Sequence, residues 1–332
     1  MMFLAVSPEP SRVGDVLMSF LSIIFEGAPF LLIGTLLAGF IDAFLPAKLL
    51  SRVVPRNPII GTLVAAFLGI LLPVSECAIV PVIRRLLRKG LPVPVAVTYM
   101  LAAPLVNPVA ATSTATAFKE SLRLVQAGDF AHPILLVQHL CASAPMAVSR
   151  LSLGWLVAVL AGLLVALMKP ATALRPELAA QIGQPDDAPT GGSRFVKALR
   201  TAMRDFLDTG MYFAIGVAIT SFFNTQVNQA LLDKVTGHEW LAIPVLMLLA
   251  LLLSLSSTID AFIVASMSSF SLSSRLAFLV FGPMMDFKLL FLYSAVFKRR
   301  IIVVLLIGLM LAVGFLAGPW AGFIQHLATL KP

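Results

Sequence analysis

Hydrophobic positions run along this chain in long blocks, and the polar residues that interrupt the blocks recur at a few related places. Apolar stretches near 15–40, 59–83, 93–118, 151–168, 206–224, 241–265, 275–296 and 301–323 each predict a membrane-spanning helix, because about 20 apolar residues suffice for one crossing. The predicted fold class is all-α, a polytopic transmembrane protein of about eight spans. Two blocks break this pattern from within. Leu72-Pro73-Val74-Ser75-Glu76-Cys77 and Leu253-Ser254-Leu255-Ser256-Ser257-Thr258-Ile259-Asp260 put a carboxylate and small polar groups where a spanning helix should be apolar. Each is followed by a second interruption, Ala103-Pro104-Leu105-Val106-Asn107-Pro108 and Gly282-Pro283-Met284-Met285-Asp286.

The interruptions share a register. Gly34 and Phe40 match Gly216 and Phe222 at a shift of 182, Ser75 matches Ser256 at 181, and Pro104 and Asn107 match Pro283 and Asp286 at 179. Such a slow drift predicts an internal repeat of two four-span halves with broken helices. The first half covers 1–168, with an insertion at about 119–149, and the second covers 201–332. Between them, 169–200 is rich in Pro and Gly and reads as a flexible cytoplasmic linker. Arg194, Lys197, Arg200 and Arg204 follow at helical spacing, as interfacial anchors or a solvated face. In the insertion, the short apolar run from Pro133 to Ser149 reads as an interfacial or re-entrant element; were it to cross, the halves would be antiparallel.

Charged residues inside a bilayer cost about 2.5–3.5 kcal/mol each on insertion scales and usually face a functional interior. Glu76 lies 13 residues before the Lys89-Gly90-Leu91-Pro92 turn, and Asn107 lies 17 beyond it, so both reach mid-depth at 1.5 Å per residue. Pro73 and Pro104 end or kink their helices. Asn107 is a good N-cap with Pro108 at the first helical position, Asp286 can cap its own half-helix, and Ser75 can cap another. Half-helix N-termini carry partial positive charge and suit an anion or electron-rich ligand. Lys288 can neutralise a nearby carboxylate. Each polar residue also has a purely architectural account as a cap or ion pair; Glu26 and Asp208, inside the first span of each half, fit either role.

Composition narrows the class. Of 332 residues 12% are charged, against about 25% in soluble domains. The net charge of +8 sits in short loops, where Lys and Arg set orientation; it is no nucleic-acid signal, and the partner implied is the lipid bilayer. The loop charges lean modestly toward both termini in the cytoplasm. The first apolar stretch reads as a retained span, not a cleaved signal. Cys77 and Cys141, the two cysteines, define neither a disulfide framework nor a zinc site. His139 with Cys141 lacks further ligands, and no metal or cofactor is expected.

The run from Leu72 to Pro81, Arg88-Lys89-Gly90, Ala103-Pro104 with Asn107-Pro108, and Gly282-Pro283-Met284-Met285-Asp286-Phe287-Lys288 resemble the bacterial predicted-permease family, which includes exporters of trivalent organoarsenicals. The resemblance covers most of the chain outside the linker and the insertion. It implies an inner-membrane permease of about eight spans. Many members carry two cysteines separated by one residue in the first break; this chain has Ser75 and Cys77 there. Trivalent arsenic prefers thiolate ligands, so the resemblance speaks for a permease more than for that substrate.

The expected function is a permease that moves a small solute or ion by alternating access. Its site would be lined by Ser75, Glu76, Cys77, Asn107, Ser257, Thr258, Asp260 and Asp286, and Glu76 and Asp260 would couple transport to protons. Efflux of a metalloid or thiophilic compound and a thiol-redox membrane subunit are the alternatives. An intramembrane enzyme lacks support from any His-Glu-x-x-His or Gly-x-Ser-x-Gly pattern. Without a P-loop, energy would come from an ion gradient or a separate partner. Oligomers are compatible with all of these.

Overall fold

The computed structural model describes residues 12–46, 55, 57–71, 74–120, 140–168, 173–182, 194–225 and 239–329. Its elements are helices α1 (Arg12–Phe44), α2 (Pro58–Leu71), α3 (Glu76–Arg88), α4 (Val93–Ala102), α5 (Pro108–Ala117), α6 (Pro145–Ala166), α7 (Pro176–Ala179), α8 (Arg194–Asn224), α9 (Glu239–Leu253), α10 (Ile259–Ser266), α11 (Leu272–Met284), α12 (Phe287–Tyr293) and α13 (Arg299–Thr329). Val13–Phe44, Pro145–Ala166, Arg194–Asn224, Leu272–Tyr293 and Arg299–Thr329 are long and apolar enough to cross a bilayer, and Pro58–Ile70, Val93–Ala102 and Leu241–Leu253 are shorter apolar helices. The chain is a multi-pass helical membrane protein.

Close helix contacts give the direction of each element. Gly27 of α1 abuts Phe213 of α8, and Gly39 abuts Ala198 and Ala202, so α1 and α8 are antiparallel. Gly308 meets Leu164 and the Trp320 indole donates to Ser152 Oγ at 2.9 Å, so α6 and α13 are antiparallel too. Gly162 meets Pro94 and Thr98, Gly154 meets Leu105, and Arg150 reaches Thr114 of α5. α6 therefore runs back along α4 and α5 in turn, which makes α4–α5 one crossing interrupted at 103–107. α11–α12 crosses likewise: Arg275 near its start lies over the Phe118 ring beyond α5, whereas Lys298 beyond its end donates its N–H to Ala173, past the end of α6.

Two apolar blocks take a different course from the expected one. The stretches 59–83 and 241–265 do not run straight through; each folds back on itself. Gly61 meets Val95, and Gly69 meets Ala103 and Val106, so α2 and α4 lie side by side and parallel. The tight turn at Lys89-Gly90, with Gly90 in the left-handed region at φ +95°, forces α3 antiparallel to α4. α2 and α3 therefore form a re-entrant hairpin whose tip ends at Val74-Ser75. In the second half, Gly282 near the end of α11 meets Ala250 of α9 and Asp260 of α10, so α9 and α10 form the matching hairpin, with its tip at 254–258. Ser254, at φ +48°, turns the chain there. A hairpin of two apolar arms and one straight span have the same hydropathy, which is why hydropathy alone cannot separate them. The expected kink at Pro73 and the run 133–139, including His139, lie outside the described residues.

The two half-chains have the same order of elements, and corresponding elements point in opposite directions. α2 packs on α4 as α9 packs on α11, α4 on α6 as α11 on α13, and α3 on α12 as α10 on α5. Parts of the expected linker are packed: Leu174 bridges Phe297, Arg175 N–H bonds Val296, and Ala173, Leu174 and Leu178 are buried. Helix α8 begins at Arg194, so the basic residues 194–204 are its first turns.

A buried ion network locks α3 to α1 and α8. The Arg85 guanidinium donates two bonds of 2.6 Å to Asp205 and lies 3.5 Å from Asp42; Arg84 reaches Asp208 at 3.4 Å. Bidentate geometry of this kind is the strong form of the carboxylate pair. Removing one partner of a buried pair costs about 3–5 kcal/mol because the other charge is stranded. Arg85→Ala is therefore expected to lower the thermal unfolding midpoint in detergent sharply, and adding Asp205→Asn should recover part of that loss. A midpoint equal to wild type in the single variant would refute the lock.

Candidate functional site

The hairpin tips meet beside the interruptions of α4–α5 and α11–α12. Breaking α4–α5 and α11–α12 there exposes backbone groups that need partners, and the chain supplies them locally. Asn107 accepts from Ala110 N–H at 2.8 Å and donates to Ala103 C=O at 2.8 Å, with Pro108 at the first helical position. Asp286 accepts from Leu289 N–H at 2.7 Å. Both capping expectations hold. The expected Ser75 cap does not: Ser75 is the N-cap of α3 by backbone, but its side chain makes no cap bond, and its buried hydroxyl has no hydrogen-bond partner among the described residues.

Two buried cations hold the second tip. Lys288 Nζ donates to Glu76 Oε1 at 3.0 Å, to Ser254 C=O at 2.8 Å and to Leu255 C=O at 3.2 Å, and lies 3.3 Å from Asp286 Oδ2. Arg150 donates to Thr114 Oγ1 and to Ser257 C=O, each at 2.8 Å. Lys288 is 4% exposed and Arg150 0%. The unwound carbonyls of the tip thus gain donors that a helix would have provided, as non-helical backbone at this depth requires. Glu76, Asp260 and Asp286 are buried with them. Counted as ions, three carboxylates face two cations, and one further proton would bring the buried set to neutrality. Glu76 Oε2 and Asp260 Oδ2 have no hydrogen-bond partner among the described residues.

A cavity of about 570 Å³ lies beside these tips. Ser75, Glu76, Cys77, Asn107, Ser257 and Thr258 line it, together with Ser256, Lys288 and Glu26. One wall is apolar, built from Ile23, Phe30, Ile33 and Leu37 of α1 with Phe213 of α8. Asp260 and Asp286 are not in the lining; they sit behind it, Asp260 beside Gly282 and Asp286 beside Lys288. Cys141 is buried but not in the lining, and Asp208, also outside the lining, pairs with Arg84 toward the basic end of α3. Sequence reasoning missed Arg150 and Thr114. Arg150 looked like a loop cation at the start of a span, yet α6 begins at Pro145, which carries Arg150 inside. The signal that was available is its place in an apolar run, four residues beyond Met146 and just before Leu151.

A family model described as predicted permease matches residues 12–137 and 130–323. The UPF0718 protein YcgR of Bacillus subtilis is 34% identical over 293 residues, covering 86% of this chain and 90% of that protein. A Streptococcus mutans protein described as a candidate subunit of a two-component membrane permease complex is 30% identical over 294 residues, covering 88% of this chain and 90% of its own. No solved structure matches the chain. With the breaks, the caps and the mid-depth cavity in place and relatives matched over most of the length, the chain belongs to the predicted-permease family.

Proposed function

We propose that this chain is a secondary permease of the bacterial inner membrane that passes a small solute through the 570 Å³ cavity by alternating access, coupled to protons. The observation that carries the proposal is the meeting of two oppositely directed hairpin tips, with buried carboxylates and cations, at one hollow. Inverted repeats with a midplane site between them are the architecture of many secondary transporters. The corresponding but oppositely directed elements of the two halves support such a repeat here, with antiparallel halves. Ser75, Glu76, Cys77, Asn107, Ser257 and Thr258 would contact the solute, while Asp260 and Asp286 act from behind the wall. Glu76 and Asp260 would carry the coupling proton, since one proton neutralises the buried set. Transport, not chemical conversion, is the activity the site supports.

The basic residues of Arg84-Arg85-Arg88-Lys89, Arg175, the start of α8 and Lys298-Arg299-Arg300 share one face, because α3 ends, α8 begins and α13 begins there. Lys119 and Arg275 lie at the other. By the positive-inside rule the first face is cytoplasmic, which supports termini on the outer side, the reverse of the sequence expectation. That expectation had placed 298–300 and the linker on opposite faces. The Streptococcus mutans relative's description as a complex subunit supports a partner subunit for this chain.

Cys77 in the lining favours one refinement, a thiophilic solute exported from the cell, because soft metalloids select thiolates. A thiol-redox subunit is less well supported, since disulfide exchange needs a second thiol and Cys141 is not in the cavity.

Purified protein should show a thermal shift with one member of a panel of arsenicals, inorganic anions and divalent metals, and should carry that compound into liposomes. Glu76→Gln and Asp260→Asn are expected to cut flux at least tenfold; wild-type affinity and flux in both would reject the site. For orientation, His326→Cys in whole cells should react with a membrane-impermeant maleimide and Arg300→Cys should not. The opposite labelling pattern would invert the assignment.

A further inference from the structure

The two halves correspond element by element except in one respect. α1 packs along α3, and α8 packs along α12, and both α3 and α12 run from mid-depth to the basic face. Under the register of the halves, α3 corresponds to α10 and α12 to α5. The partners α1 and α8 hold are therefore not each other's equivalents. Gly216 of α8 sits on the Lys288 backbone, where an added Cβ would come 2.7 Å from Lys288 Cα. Gly216 corresponds to Gly34, and Lys288 corresponds to Val109 at the same shift as the two caps, Asn107 and Asp286. Yet Gly34 sits on Ala78 of α3, and Val109 is left 53% exposed. Gly34 and Val109 both line the cavity. On α10, Ile259 and Phe262 are likewise exposed, at 40% and 52%.

Resting on the alternating-access reading, we propose that the other state is this same chain with the two contacts exchanged: α1 moves from α3 onto α5, seating Gly34 on Val109, and α8 moves from α12 onto the exposed face of α10. The cavity between α1 and the tips of α5 and α10 then closes, and a new opening forms beside α3 and α12. Small residues already stand at both crossing points, and close helix approach in a membrane needs them. Sub-ångström fits of packed helices give two discrete arrangements and not a continuum. The Arg85–Asp205–Asp42 network ties α1 and α8 to α3 in the observed state only. At the register of the halves Asp205 corresponds to Ile23 and Asp42 to Asn224, so the exchanged state has no equivalent lock, which accounts for the preference for the observed arrangement.

The test measures distances between spin labels in nanodiscs, in a C77A/C141A background. One pair, Met18→Cys with Thr116→Cys, reports α1 against α5; the other, Phe44→Cys with Arg88→Cys, reports α1 against α3. The double variant R85Q/D205N removes both members of the bidentate pair and leaves Asp42 of α1 without its arginine. It is expected to add a shorter distance in the first pair and a longer one in the second, in equal proportion. Adding Val109→Trp, which blocks the seat for Gly34, should abolish both new populations. Wild-type distributions in both pairs of R85Q/D205N, or a change in one pair without the opposite change in the other, would overturn the exchange. The readout needs no solute. Unchanged distances with intact liposome flux reject the exchange alone, whereas exchange without flux of any panel compound rejects the permease reading and keeps the motion.

Discussion

Lys288 is where the first break and the second hairpin tip are held together. An ammonium taken out of water at mid-membrane costs several kcal/mol unless its donors are filled. Here all three are filled, by Glu76 of the first half and by the Ser254 and Leu255 carbonyls of the second hairpin tip, with Asp286 3.3 Å away. The pairing with Glu76 runs across 212 residues of sequence, so this one ammonium ties the first break to the second hairpin tip. Arg150 repeats the device from α6 onto Ser257. The open loop at 254–258 survives at this depth because these two cations replace the donors that a continuous helix would have offered its carbonyls.

Much of this was legible in the chain. Asn107-Pro108 and Asp286 announce helix starts because a short polar acceptor followed by a first-turn residue is the local chemistry of an N-cap, and local chemistry is what a sequence shows. The breaks marked which residues interrupt the apolar blocks, and of the eight residues expected to line a site Ser75, Glu76, Cys77, Asn107, Ser257 and Thr258 line one cavity, with Asp260 and Asp286 behind it. What failed was nonlocal. Direction is set by packing of α2 on α4, not by hydropathy, so the hairpins read as spans and the membrane sides of the loops came out mixed. Arg150 and Thr114 find each other only once α6 folds back along α5. The segment 173–182 looked like a linker by composition, but Leu174 and Leu178 give it an apolar face that docks beside Phe297.

The family relationship and the geometry support each other at different levels. The family model and relatives over most of the chain place it in the predicted-permease family, and the structure adds a cavity beside the hairpin tips. Cys77 is the one thiol in the cavity wall, and Ser75 is the position where this chain differs from the two-cysteine pattern of the family it resembles. One wall of the cavity is apolar, from α1 and Phe213, and the other carries the polar and charged groups of the tips.

The most direct measurement is a double-mutant cycle on Lys288→Met and Glu76→Gln, read as unfolding free energy in detergent micelles. If the cross-half pair holds the tips together, each single change costs several kcal/mol and the double costs clearly less than their sum, with a coupling of about 2 kcal/mol or more. Additive losses, or a Lys288→Met protein as stable as wild type, would show that the ammonium and the carboxylate do not depend on each other and would contradict the account.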